Sequence, residues 1–276
     1  MPTRQPVAAG RFYPGDKATL QKEINHYLQN DKSGQKFSHS PWGVMLPHAG
    51  YIFCGDILGA TLSGISLPEN LIILCPNHTG YGAPLSVWPS GDWLTPLGLT
   101  PVNSTLAKEI IDSGSGFQAD FQAHLREHSI EVILPFLQTV DPKLTIVPIC
   151  IGTQNFSLLE QAASGLAEVI SADDKNKIGL VVSSDMNHYE DESVTLQKDT
   201  AALNSILEMN PQGLLEVTRR EKISMCGAVP MTLALLTAKM LGNMHTEIIG
   251  HTTSGRVNGD HNHVVGYAGV RIFENA

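Results

Sequence analysis

At 276 residues, 42% apolar and 16% charged, with a formal net charge of −9, the chain can bury a large core and presents no basic surface to phosphate groups. Nucleic acid and anionic membranes are therefore not expected as partners, and no run of about 18 apolar residues exists to span a bilayer. The low charged fraction, against roughly 25% in soluble domains generally, leaves room for a homo-oligomeric interface.

Residues 1–20 contain no apolar stretch of signal-peptide length, so a cytoplasmic location is expected. The four cysteines, Cys54, Cys75, Cys150 and Cys226, form no CxxC pair and read as thiols, three of them buried in the core. No repeat, low-complexity tract or linker divides the sequence, and residues 1–276 read as a single domain.

In chain order, Asp16 is suited to cap a helix that presents Leu20, Ile24 and Leu28 on one face. Short apolar runs at 44–46, 71–75, 144–150 and 178–183 read as buried parallel strands. Between and after them, residues 129–140, 158–170, 200–209 and 227–241 have helical spacing. Residues 248–253 and 263–273 alternate as two further strands, joined antiparallel through a turn-rich stretch at 254–260. The expected fold class is α/β: a mixed, mostly parallel central sheet with helices on both faces.

In such sheets, ligands bind beyond the carboxyl ends of the strands. Three of the runs end there in a histidine: Pro47-His48-Ala49-Gly50-Tyr51, Pro76-Asn77-His78, and Ser183-Ser184-Asp185-Met186-Asn187-His188. One such histidine is most simply a hydrogen-bonded loop residue; three at equivalent places favour a metal or acid-base centre. Cys226 precedes an apolar helix, where the helix dipole favours a thiolate, although a buried cysteine at a helix start explains it equally well. Asp185, three residues before His188, is placed to orient an imidazole, to bind metal, or to cap a turn.

Weaker candidates are His124 and His128, four apart and able to form a zinc pair on a helix, and His261 and His263, which would share a strand face with His251 nearby. GxSxG, P-loop and GxGxxG motifs are absent.

Taken in order, Pro47-His48-Ala49-Gly50-Tyr51, Pro76-Asn77-His78, Glu127-His128-Ser129-Ile130-Glu131 with Leu134-Pro135, Val181-Val182-Ser183-Ser184-Asp185 with His188, and Cys226-Gly227 resemble the landmarks of the Memo family. The opening Arg11-Phe12-Tyr13-Pro14 is similar to the family's N-terminal segment. The resemblance implies a fold like that of the class III, non-haem-iron extradiol dioxygenases. It implies that His48, His78 and Cys226 are metal ligands, that His188 is an acid-base group, and that Asp185 and His128 line the same pocket. The bacterial and archaeal family is known as protein B of the AmmeMemoRadiSam system, which implies radical-SAM and AMMECR-type proteins as partners. Animal members are linked to cell motility signalling and metal-dependent redox activity.

The dioxygenases carry a glutamate where this chain has Cys226. Two histidines and a thiolate suit Cu(I), Zn(II) or thiolate-ligated iron; the expected cofactor is a divalent or redox metal, iron or copper ahead of zinc. Asn187 stands where animal members have a cysteine, which argues against a dithiol redox pair at that point. Three functions follow as expectations. The first is a dioxygenase-like, metal-dependent oxidoreductase acting on a small-molecule or peptide ligand, with His188, oriented by Asp185, moving a proton. The second is a non-catalytic binding or metal-carrying protein. The third is a metal-free enzyme with Cys226 as nucleophile and His188 as base.

Overall fold

The structure, a computed structural model, describes residues 2–29, 40–173 and 177–275. Its first half runs β1 (Thr3–Arg4), α1 (Lys17–Gln29), β2 (Gly43–Leu46), α2 (Tyr51–Leu62), β3 (Asn70–Pro76), β4 (Leu85–Val87), β5 (Asp92–Thr95), β6 (Gly98–Pro101), α3 (Ser104–Asp112), β7 (Gln118–Ala119) and α4 (Ser129–Val140). The second runs β8 (Thr145–Ile151), α5 (Phe156–Ser171), β9 (Ile178–Ser183), β10 (His188–Glu190), α6 (Glu192–Leu207), α7 (Pro211–Arg220), α8 (Ala228–Leu241), β11 (Met244–Thr253), α9 (Gly255–Asn258) and β12 (Val264–Glu274).

The main sheet has the order β10-β12-β2-β9-β3-β8-β4-β7, with β11 paired to β12 as a further strand. The four central strands β2, β9, β3 and β8 are parallel, as their buried apolar runs imply. Both flanks turn antiparallel, through β12 against β2 and β4 against β8. Successive residues divide two cores between the faces: Ile72, Leu74, Leu180 and Val182 meet α5 and α8, while Leu71, Ile73, Cys75 and Val181 meet α1, α2 and α4. The α/β fold with helices on both faces is therefore the observed one.

Several elements depart from the sequence expectations. The helix expected at 200–209 begins at Glu192, where Asp191 accepts a bond from Ser193 N at 2.9 Å. Helices α2, α3 and α7 lie where none is expected; α2 is apolar almost all round, so it has no polar face to reveal its period. Its Gly59 lets α1 approach: a Cβ there would stand 2.3 Å from Tyr27 O. A small sheet, β1-β5-β6, forms from strands too short to carry a pattern. Residues 261–263 precede β12, so His261 and His263 share no strand face; His261 Nδ1 instead bonds Glu192 Oε2 at 2.7 Å.

One buried carboxylate ties the N-terminal segment to this frame. Glu131, on the first turn of α4, accepts bonds from Val7 N (2.8 Å), Ala8 N (2.7 Å), Ala9 N (3.2 Å) and Tyr13 OH (2.7 Å), and pairs with Arg4. Arg4 also donates to the carbonyls of His124 and Glu127 and packs its guanidinium over Trp93. Burial opposes the charge on Glu131, but Arg4 and the donated bonds win, and its pKa lies below the ordinary carboxylate value. A depressed folded pKa contributes stability above the unfolded pKa of about 4.3 that is lost as pH falls through the folded value. Glu131→Gln leaves Arg4 buried without a counter-charge and should cost about 3–5 kcal/mol at neutral pH, with a flatter acid limb, in urea melts across pH 3–7.

Candidate metal centre

Three strands that are neighbours in the sheet, β2, β9 and β3, end side by side, and the segments leaving them carry His48, Asp185 with His188, and His78. Cys226 arrives from the connection between α7 and α8, and His128 immediately precedes α4. The rings of His48, His78 and His128 form a triangle with centroids 5.4, 5.5 and 5.0 Å apart. His48, His78 and Cys226 each place a ligand atom within 4.8 Å of the other two, so this cluster can hold a metal ion.

Hydrogen bonds around the cluster fix which nitrogens face inward. Ser183 Oγ donates to Ser129 O at 2.9 Å, so it accepts from His48 Nδ1 at 2.8 Å. That leaves the His48 Nε2 lone pair pointing at Cys226 Sγ, 3.3 Å away. His78 Nδ1 donates to Glu127 Oε1 at 2.9 Å and its backbone N–H to Oε2 at 2.7 Å, which leaves Nε2 free. This is the carboxylate–histidine arrangement that aims metal-binding imidazoles. Ser129 donates twice more to Glu127, from its backbone N at 3.0 Å and from its hydroxyl.

The electrostatics follow from burial. His48 is buried and held well below its ordinary pKa, so it is neutral at pH 7 with its lone pair available. Burial also lowers His128 and His188. At His78, burial is outweighed by the bond to Glu127 and its charge, and the pKa rises; Glu127, despite burial, is drawn down to about 2 by the same contact. Burial pushes Asp185 up to about 7, although His48 N–H donates to its Oδ1 at 2.8 Å.

Two sequence expectations change here. Cys226 precedes α8, but burial and the nearby Asp185 carboxylate push its thiol up, not down, so the helix dipole does not prevail. Asp185 bonds to the backbone of His48, whereas His188 is held by Ser224: its N–H donates to Ser224 Oγ at 2.8 Å and its Nδ1 to Ser224 O at 3.1 Å. The buried Asn187 braces that connection by accepting from Ser224 N at 3.0 Å. Next to His188, Tyr189 has a φ of 60°, a left-handed conformation beside a register shift in the pairing with β12. Such strain costs a non-glycine residue on the order of 1–3 kcal/mol and tends to gather at functional sites.

Other candidates fall away from the centre. His124 is no partner of His128 in a helical zinc pair: residues 121–128 form turns. His124 is buried between Trp88 and Trp93, with Nε2 on Ser86 O at 3.1 Å. His251 pairs with Asp199 at 2.8 Å. Cys54 and Cys75 face the core, as expected. Glu127, Ser129, Ser183 and Ser224 are the supports that sequence reasoning did not single out; Glu127 was visible only as the residue beside His128.

A family model described as "Memo-like protein" matches residues 4–271. This chain belongs to the Memo-like family. A MEMO1 family protein of Metallosphaera sedula is 39% identical over 283 residues, covering 98% of this chain and 99% of that protein. One from Thermotoga maritima is 38% identical over 284 residues, with the same coverage. The crystal structure of uncharacterized protein JW3007 from Escherichia coli K12 matches 85% of this chain and all of that chain, with a TM-score of 0.55 and 13% identity, a likeness of fold. Among the described residues no helix is long and apolar enough to cross a membrane.

In this Memo-like chain the approach of Cys226 depends on Gly227. A Cβ there would lie 2.3 Å from Ser184 Cβ and 2.8 Å from Ser183 O, where the chain leaves the end of β9. Gly227→Ala should lower stability by about 1–3 kcal/mol in thermal melts and move the thiol away from His48. The second effect would appear as faster labelling of Cys226 by iodoacetamide; an unchanged melt and labelling rate would contradict the packing argument.

Proposed function

We propose that this protein binds a transition metal, iron or copper ahead of zinc, through His48, His78 and Cys226, and acts as a metal-dependent oxidoreductase on a small molecule. The carrying observation is the pairing of the His48 Nε2 lone pair with Cys226 Sγ at 3.3 Å, both aimed by fixed hydrogen bonds. Donors around one ion with bonds of about 2.0–2.3 Å have this separation, so a shared cation can replace the S–H···N contact with little movement of either side chain. The donor set fits the metal: two imidazole nitrogens and one soft sulfur. When bound, the metal supplies Lewis acidity and, if redox-active, electrons to a substrate oxygen or dioxygen.

The chain's own groups do the rest. His188 presents Nε2 as a proton acceptor because Ser224 O holds its Nδ1 proton, and the half-buried ring stays neutral. Asp185 fixes the backbone of His48, and His128 stands beside both ligand rings as a wall for the ligand. His188 loses support as the base for a Cys226 nucleophile: the ring in contact with Cys226 Sγ is His48.

Elemental mass spectrometry on untagged protein purified without oxygen should find near-stoichiometric iron or copper, lost in a His48→Ala/His78→Ala/Cys226→Ala variant. His188→Ala should keep its metal and, once a substrate is found, lose about 10²–10⁴-fold in turnover. A wild-type protein that takes up no metal even on reconstitution would sink the proposal.

A further inference from the structure

A second donor set lies against the first and shares His78 with it. His78, Glu127 and His128 also place one ligand atom each within 4.8 Å of one another. His78 Nδ1 is 2.9 Å and His128 Nδ1 3.4 Å from the same oxygen, Glu127 Oε1. With metal bonds of about 2.1 Å, those separations correspond to angles of roughly 90° and 110° at an ion, within the octahedral and tetrahedral ranges. The set is chemically distinct from its neighbour: two imidazoles and a carboxylate, with no sulfur.

We propose that His78, Glu127 and His128 form a second metal seat, suited to a harder divalent ion such as Mn(II) or Fe(II), next to the softer seat that contains Cys226. It shares His78 with that seat, but neither His48 nor Cys226 is among its ligands, so it can be tested with Cys226 removed. His78 is common to both, with Nδ1 engaged by Glu127 and Nε2 left free. An ion in the second seat takes the place of the Nδ1 proton, which passes to Nε2 when no metal is bound on that side and to solvent when one is.

The second seat has a solvent-facing side: the His78 and His128 side chains are 36% and 27% exposed, while Glu127 behind them is 1% exposed. A hydrated ion can reach it without the core opening. Glu127 supplies the full negative charge, which offsets the partial positive charge at the start of α4. Ligand type then sorts the metals, thiolate drawing soft ions and the 2-His-1-carboxylate set drawing oxygen-loving ones.

The experiment titrates Mn(II) alone into the full-length Cys226→Ala variant and follows the free-ion EPR signal. One Mn(II) should bind per chain, and adding His128→Asn, or Glu127→Gln, should weaken it by about tenfold or more. His128 is the safer position because it is partly exposed, and a thermal melt checks that each variant folds. In parallel, Co(II) added to otherwise wild-type His128→Asn should keep the thiolate charge-transfer band of the Cys226 seat. No Mn(II) binding in Cys226→Ala, or equal binding with and without His128, would overturn the second seat. Absence of the Co(II) band in the wild type would count only against the thiolate seat, so the two readings fail separately.

Discussion

A carboxylate removed from water must be surrounded by donors, and in this fold that requirement falls on Glu127 and Glu131, one helical turn apart at the start of α4. Glu131 gathers Arg4, three successive backbone N–H groups and Tyr13; Glu127 gathers His78 and Ser129. An isolated buried charge is costly by several kcal/mol, so neither position tolerates partial satisfaction. The N-terminal segment, the end of β3 and the start of α4 are thereby locked together.

That locking explains how the His48, His78 and Cys226 cluster is held in place. His78 cannot rotate without breaking its ring bond to Glu127, and His48 cannot rotate without breaking its bond to Ser183, whose own hydroxyl is committed to Ser129 O. Both chains of bonds end on Ser129, so the two imidazoles are aimed by one turn of helix. Cys226 completes the cluster because Gly227 allows its segment to lie against the connection leaving β9. Three lengths of chain far apart in sequence therefore share one small, largely dehydrated volume, in which electrostatic interactions are stronger than in water.

The same burial sets the character of the groups. It keeps His48 neutral and Cys226 protonated, so the two meet as neutral groups and not as an ion pair. Asp185, with its pKa near 7, sits where a metal's charge would draw it toward ionisation. The more exposed ring pair, His78 and His128, borders Glu127, which gives one connected site two chemically different sides.

The sequence by itself determined the α/β class, the four parallel central strands and the three histidines at their ends, because buried strands are written as uninterrupted apolar runs and the loops after them as polar motifs. The ordered landmarks also determined the family. What it did not determine is equally physical. Helix α2 is apolar almost all round and leaves no amphipathic period, and the β1-β5-β6 sheet is made of strands too short to have one. The dipole argument at Cys226 was a local one, and only the tertiary structure decided that burial outweighs it. Likewise the separation of His124 from His128, the role of Ser224 in holding His188, and the convergence of His78 and His128 on Glu127 depend on contacts between segments distant in the chain, which spacing cannot encode.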